Sequence, residues 1–389
     1  DFTIFKLWWF FDYKYFDYIW NYFKFNKKKN QLILMKKKIL ISTGGSGGHV
    51  IPAKILIDHL NYNFEVVIST DKRGEIYLND LSNKKIKIYT PKLNNPFLLP
   101  LNLIKVLILT VKSLFILKNN QIDILISTGG YMSLPLCLAA KILSVKIFLL
   151  EPNMVLGRAN NFFLKFSEKI FCYNNSLKNF PKKFLDKIVL IEPLVRLFFY
   201  EKLNNYIKKD KFNLLVIGGS QGANIFDFEI KESFNEISKS FPIKVTHQTN
   251  EQNIEKLKDF YSKNNIECHV FAYEKNFFNL IKEIDFCITR GGASTLAELS
   301  LMSIPFLVVP LPTAKDNHQY ENALFYKKNN CCWIIDQKNF NKKELSKFFF
   351  NLLKNNNEYL EKKTNLKKLN YQNSWNNVNQ KILDTLNAN

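Results

Sequence analysis

"KILISTGGSGGHVIP", residues 38–52, sets the reading of the whole chain. A short apolar run, Ile39-Leu40-Ile41, enters a glycine turn and leaves it as a helix-compatible stretch, which is the repeating unit of a parallel α/β sheet. The same texture recurs three times. "IDILIST" (122–128) runs into Gly129-Gly130, "FNLLVI" (212–217) into Gly218-Gly219, and "IDFCITR" (284–290) into Gly291-Gly292. The turns fall in two pairs, so the expected fold is α/β, with two doubly wound Rossmann-like domains facing across a cleft. Ligands of open parallel sheets bind beyond the carboxyl ends of the strands, where these turns lie.

A chain of 389 residues exceeds the usual single domain, and 47% hydrophobic residues supply two cores. The expected divisions are an N-terminal domain over 35–200, a C-terminal domain over 201–365, and a C-terminal helix over 366–389 that packs back on the first domain. The boundary between the domains should fall near the polar stretch "FFYEKLNNYIKKDK" (198–211). Residues 1–34 are dense in aromatics and charges, and the texture changes at Met35. They read as a spurious or disordered extension, with a membrane-surface anchor as the alternative.

The net charge of +21 comes from 55 Lys and Arg against 34 Asp and Glu. Lysine is spread over the whole chain and no basic-aromatic recognition motif accompanies it, so no nucleic-acid partner is expected. Six cysteines without a C-x-x-C pair read as buried free thiols. Five scattered histidines offer no metal-binding spacing. "FLLPLNLIKVLILTVKSLFIL" (97–117) is long and apolar, but Lys105 and Lys112 share one helical face and argue against a membrane span. Core packing accounts for much of it, and adhesion to an anionic membrane surface is the other reading.

The opening turn lacks the lysine of a phosphate loop and the third spaced glycine of a dinucleotide loop. Asp71, after the strand "FEVVIST" (64–70), is the one residue that favours a dinucleotide. His49 sits in the first turn of the helix. The positive end of a helix disfavours imidazolium, so a neutral His49 is available to accept a proton; the alternative is a histidine that merely packs the turn. "GGSQGA" (218–223) reads as an anion cradle at a helix start, and "TRGGASTLAEL" (289–299) as a second close-approach turn. Glu298 is placed to accept hydroxyl hydrogens from a ribose, or is a solvated helix charge. "KDNHQYENA" (315–323) presents amides suited to sugar hydroxyls. No two aspartates are separated by one residue, so the D-x-D metal clamp of other sugar-nucleotide enzymes is missing.

The ordered set of these motifs, with "GGYMSLP" (129–135), "EPN" (151–153) and Arg196, resembles the glycosyltransferase family 28 enzymes of peptidoglycan synthesis. The resemblance runs from Met35 to about Trp333, and "GGSQGA", "GGASTLAE" and "HQYENA" are its most specific parts. It implies the GT-B fold and an inverting, metal-independent transfer of N-acetylglucosamine from UDP-N-acetylglucosamine to the 4-hydroxyl of a lipid-linked muramyl acceptor, lipid I. It implies His49 as general base, with Glu151 as the alternative, and no cofactor or metal. Ser46, Gly47, Gly48 and Asn153 would face the donor, and Tyr131 would lie on the acceptor side. Arg196, Ser220 and Gln221 would meet the donor diphosphate; Ala293, Ser294, Thr295, Leu296, Ala297 and Glu298 its ribose and phosphate; Gln319 and Asn322 its sugar. It further implies a peripheral protein on the cytoplasmic face of the plasma membrane, held by anionic lipid. Leu134, His318 and "EPLVR" (192–196) depart from the family pattern. The competing readings are a related glycolipid-forming transferase, an NAD-dependent dehydrogenase and a non-catalytic scaffold.

Overall fold

The computed structural model describes residues 36–91, 97–201, 210–218, 224–274 and 277–388. The first sheet has seven strands in the order β3-β2-β1-β4-β5-β6-β7, every pair parallel. These are β1 (Lys38–Ser42), β2 (Glu65–Thr70), β3 (Lys85–Lys87), β4 (Ile124–Ser127), β5 (Lys146–Glu151), β6 (Lys169–Cys172) and β7 (Ile188–Leu190). The second sheet has six parallel strands in the order β10-β9-β8-β11-β12-β13. These are β8 (Phe212–Ile217), β9 (Ile243–Gln248), β10 (Glu267–Phe271), β11 (Phe286–Thr289), β12 (Phe306–Val308) and β13 (Cys332–Ile334).

Side chains alternate across a strand, so an apolar run buried on both faces feeds two cores. In β1, Ile39 and Ile41 join one cluster with Val50, Ile55 and Leu56 of helix α1 (Gly47–Leu60). Leu40, between them, joins the opposite cluster with Leu117 of α2 (Leu99–Asn119) and Leu136 and Ala139 of α3 (Leu134–Ile142). In β8, Leu214 and Val216 face one core and Leu215 and Ile217 the other. In the second domain α4 (Asn224–Ser238) and α7 (Lys342–Lys354) cover the Leu214 face through Phe226, Phe234 and Phe349, so each sheet is packed against helices.

Both sheets reverse their winding beside their first strand, between β1 and β4 and between β8 and β11. Gly44-Gly45 and Gly129-Gly130 follow β1 and β4, while Gly218 and Gly291-Gly292 follow β8 and β11. The glycine turns thus stand at the two switch points, where a parallel sheet leaves a crevice.

The C-terminal segment crosses between the domains. Leu366 of α8 (Asn357–Leu369) lies in a core of the second domain, whereas Val378, Ile382 and Leu386 of α9 (Trp375–Ala388) lie in a core of the first. Trp375 stacks on His59 of α1 with ring centroids 3.5 Å apart. Residues 1–35, including the expected extension, lie outside the described residues.

Candidate functional site

His49 is the third residue of α1, and its half-buried ring turns toward the neighbouring strand end. Its Nδ1 lies 2.9 Å from the carbonyl oxygen of Thr128, just past β4. A carbonyl only accepts, so Nδ1 carries the hydrogen and Nε2 keeps its lone pair. Among the described residues Nε2 has no hydrogen-bond partner, and it lies 3.6 Å from where a Cβ on Gly130 would stand. Gly130 has φ +77°, a left-handed conformation that glycine adopts without strain. Burial lowers the pKa of His49 most; the Thr128 carbonyl opposes it, and His318 and Lys315 of the facing domain lower it further. The ring is therefore a neutral imidazole with its basic nitrogen on the open side.

Glu151, at the end of β5, is 2% exposed. Oε1 accepts from the backbone and side-chain N–H groups of Asn153 at 3.2 and 3.0 Å, and Oε2 from Gly157 and Asn160 at 2.8 and 3.0 Å. Burial raises its pKa while these four donors pull it down. Its acceptor capacity goes to its own loop, so Glu151 shapes residues 152–157 rather than offering a base. Asp71 is likewise committed. Oδ1 accepts from Gly45 at 2.9 Å and Gly74 at 2.8 Å, and Arg73 pairs with Oδ2 at 3.4 Å. It ties the first glycine turn to the loop after β2 and is not a free ribose-binding acid. Tyr131 accepts from the Arg73 guanidinium, on the Asp71 side of the same turn.

Across the cleft, helix α5 (Ala293–Leu301) starts at Gly292 without a side-chain cap. The first N–H groups, of Ala293, Ser294 and Thr295, are left for an anion. Leu296 and Ala297 are placed otherwise than the resemblance implies. They are 0% and 2% exposed in the core, and the Leu296 N–H donates to Gly292 at 3.0 Å. Glu298 is neither solvated nor open to a ribose on both oxygens: Arg196 donates to its Oε1 at 2.8 Å, and Glu298 is 3% exposed. Burial raises the Glu298 pKa, which Arg196 opposes. Arg196 also stacks over Phe198, Phe199 and Phe277, so the guanidinium is fixed rather than searching for charge. Ser220 and Gln221 lie outside the described residues.

Helix α6 (His318–Lys328) joins the two halves. The Gln319 Oε1 accepts from Gly291 at 3.2 Å and Leu311 at 3.0 Å, which fixes the amide and leaves Nε2 as an oriented donor. Asn322, 2% exposed, accepts from the Met154 N–H at 2.8 Å and donates to Asn153 Oδ1 at 3.1 Å and to the Gly291 carbonyl at 3.0 Å. Its amide is spent on holding the donor-side turn to the Glu151 loop of the other domain. Exposed pairs, Arg158 with Asp316 at 2.7 Å and Lys178 with Glu321 at 2.6 Å, flank this contact. A Cβ on Gly291 would lie 2.1 Å from the Gln319 carbonyl, so only glycine lets α6 come this close. Ser46, Gly47 and Gly48 form the start of α1 beside His49, with Ser46 and Gly48 exposed.

Sequence reasoning singled out His49 but not the carbonyl that orients its ring. Thr128 acts through a backbone carbonyl, which every residue has, so no residue type marks it. Asn160, which completes the Glu151 shell, also lies outside any motif.

The arrangement defines a GT-B enzyme, two doubly wound domains meeting over a nucleotide-ready cleft. The chain belongs to glycosyltransferase family 28: residues 39–172 match the family's N-terminal domain and residues 213–377 its C-terminal domain. It is 51% identical over 356 residues to the UDP-N-acetylglucosamine–N-acetylmuramyl-(pentapeptide) pyrophosphoryl-undecaprenol N-acetylglucosamine transferase of Pelagibacter ubique, covering 91% of this chain and 100% of that one. The enzyme of the same name from Rickettsia felis is 33% identical over 331 residues, covering 82% and 91% of the two chains. Among solved structures, Acinetobacter baumannii MurG superposes with a TM-score of 0.72 at 23% identity, over 91% of this chain and 100% of that one. The UDP-GlcNAc 2-epimerase of Neisseria meningitidis shares the fold at a TM-score of 0.64 and 15% identity, over 90% and 100%.

Proposed function

We propose that this chain transfers N-acetylglucosamine from UDP-N-acetylglucosamine to the 4-hydroxyl of the muramyl sugar of lipid I, forming lipid II for peptidoglycan synthesis. The observation that carries the reading is the 51% identity spanning the whole Pelagibacter transferase. The acceptor hydroxyl gives its proton to Nε2 of His49 as its oxygen attacks the anomeric carbon, and the configuration inverts. UDP departs toward the opposite domain, where the uncapped N–H groups of Ala293, Ser294 and Thr295 stabilise its charge. The oriented Nε2 of Gln319 donates to a sugar hydroxyl. Asn322 holds the domains in register around these groups, so that base and leaving group are positioned together.

The protein works at the cytoplasmic face of the plasma membrane as a peripheral protein. Helix α2 supports this reading because it leaves an apolar face bare: Asn102, Val106, Thr110, Ser113 and Leu117 are buried, while Leu107, Ile108 and Phe115 are 63%, 64% and 61% exposed. Lys105 and Lys112 lie on the same helix, suited to anionic headgroups. Calorimetric titration with UDP-N-acetylglucosamine and, separately, with NADH tests the donor class. Heat from the sugar nucleotide alone is expected; binding of NADH alone would overturn it.

A further inference from the structure

A chain of titratable groups lies buried in the second domain, between α4 and the carboxyl end of β9, and the transfer step makes no direct use of it. His247 of β9 and Tyr261 of the helix Ile254–Lys263 are both fully buried. Asp227 stands in the first turn of α4. His247 Nδ1 lies 2.9 Å from the Tyr261 hydroxyl, and His247 Nε2 faces Asp227 Oδ1 at 3.4 Å. Neither of these last two atoms has another hydrogen-bond partner among the described residues. Asp227 Oδ2 accepts from the Thr249 hydroxyl at 2.6 Å and from the Asn253 amide at 2.8 Å. Asn250 donates to the side chain of Asn224, the first residue of α4, at 2.9 Å.

Elementary bonding rules give this chain one direction. Burial raises the Asp227 pKa, but the His247, Thr249 and Asn253 donors outweigh it, so the carboxylate is ionised. Burial lowers the His247 pKa more than Asp227 raises it, so the ring is neutral. A carboxylate only accepts, so Nε2 carries the hydrogen, Nδ1 keeps its lone pair, and the Tyr261 hydroxyl donates to it. Tyr261 thus orients His247, and His247 with Thr249 and Asn253 fixes Asp227 against the end of β9. The start of α4 in turn meets the donor side. Phe226, beside Asp227, lies 4.9 Å beneath the Arg290 guanidinium. Arg290 donates to the Val309 carbonyl at 2.9 Å and directly precedes Gly291-Gly292, which open α5. Helix α4 is also entered straight from "GGSQGA" (218–223), read from the sequence as an anion cradle.

We propose that Tyr261, His247 and Asp227 form a positioning relay for the nucleotide donor: it holds the first turn of α4 and, through Phe226 and Arg290, the start of α5, where the UDP diphosphate docks. The proposal rests on the transfer reading above. It assigns part of the donor affinity to side chains that never touch the donor, because a cradle held in place binds without first having to be ordered.

The test combines calorimetry with UDP-N-acetylglucosamine, transfer kinetics, and NMR of protein labelled at its histidine ring nitrogens. Tyr261→Phe removes only a hydroxyl, so the core keeps its shape. It should raise the donor Kd by about tenfold, the order expected when a buried group loses its partner. His247→Leu should do the same, and the double variant should be no worse than either single one, since both break one chain. The kcat at saturating donor and the KM for the lipid-linked acceptor should stay unchanged. Asp227→Asn is the conservative variant. Its amide oxygen keeps Thr249 and Asn253, its NH₂ faces His247, and the relay runs in reverse. Donor affinity should then stay near that of the wild type, while the His247 ring changes from the Nε2–H to the Nδ1–H tautomer. Ser346→Ala controls for general loosening: its buried hydroxyl bonds Ser233 and Glu236 further along α4, so it should lower thermal stability without moving the donor Kd. An unchanged Kd in Tyr261→Phe, additive losses in the double variant, or a Kd that moves as far in Ser346→Ala would overturn the relay. So would a wild-type His247 ring with its hydrogen on Nδ1. Absence of donor binding by the wild-type protein would instead sink the transfer reading, and the role of the relay with it.

Discussion

The orientation and charge state of the His49 ring are set by its neighbours rather than by its position in a motif. The Thr128 carbonyl sets the tautomer, burial removes the charged form, and His318 with Lys315 add positive potential from the other domain. A base with a lowered pKa stays competent to lower pH, so the acid limb of kcat/KM should have its midpoint below the free-histidine value of about 6.5. Replacing His318 by Gln removes one of the groups that lower the pKa, and the limb should move to higher pH. An unmoved limb would mean that another group titrates. His49→Ala should reduce kcat by roughly 10²–10⁴-fold with little change in donor affinity. Collapse of donor binding, measured by calorimetry, would place His49 on the wrong substrate. At this scale the sequence marked motif residues without reporting what each side chain is bonded to. Glu151, Glu298 and Asn322 were legible as motif members, yet each is committed to another protein group. Spacing along a chain does not report which lone pairs a fold has already used.

At the scale of elements, the four glycine turns were readable because each ends an apolar run, and a parallel strand buried on both faces has that texture. Helix α2 was harder. Its apolar residues outnumber what one face needs, and composition does not say which face the protein covers. The structure buries Asn102, Thr110 and Ser113 together with Val106 and Leu117, and leaves Leu103, Ile104, Leu107 and Ile108 in solvent. Leu107→Glu should therefore lower partitioning onto anionic vesicles in a flotation assay while leaving thermal stability within about 0.5 kcal/mol, as for other surface substitutions. A large loss of stability would show that the leucine belongs to a core. Gly291→Ala tests the opposite situation. With 2.1 Å between the new Cβ and a backbone carbonyl, α6 must move away from the donor turn. Transfer should fall steeply while Gly48→Ala, whose nearest neighbour is the Ser46 hydroxyl at 3.8 Å, should be tolerated by the fold.

The whole molecule is two domains joined by the crossing C-terminal segment and by one buried amide. Asn322 makes two hydrogen bonds across the contact, with Met154 and Asn153, and a third to Gly291 of its own domain, and the flanking ion pairs are exposed and individually weak. Such a contact can open to admit substrates and close to assemble the site. Acid should loosen the first domain from the α9 side. Burial against Trp375 lowers the His59 pKa to about 4, so between pH 6.5 and 4 the unfolded chain binds the proton that the folded one refuses. Stability should decline as pH falls through that window, and His59→Phe should flatten the decline in a urea-denaturation series. The two-domain plan was visible in the paired turns, but the closure was not, because it depends on residues 153 and 322 meeting across the cleft.

Transfer itself can be followed by incubating the purified protein with UDP-N-acetylglucosamine labelled in the sugar, a prenyl-linked muramyl pentapeptide acceptor and a metal chelator. Label should appear in a lipid-soluble disaccharide product with release of UDP, sharply reduced in His49→Ala. Label that stays wholly in water-soluble form with the wild-type protein, or transfer that His49→Ala performs as well, would contradict this mechanism.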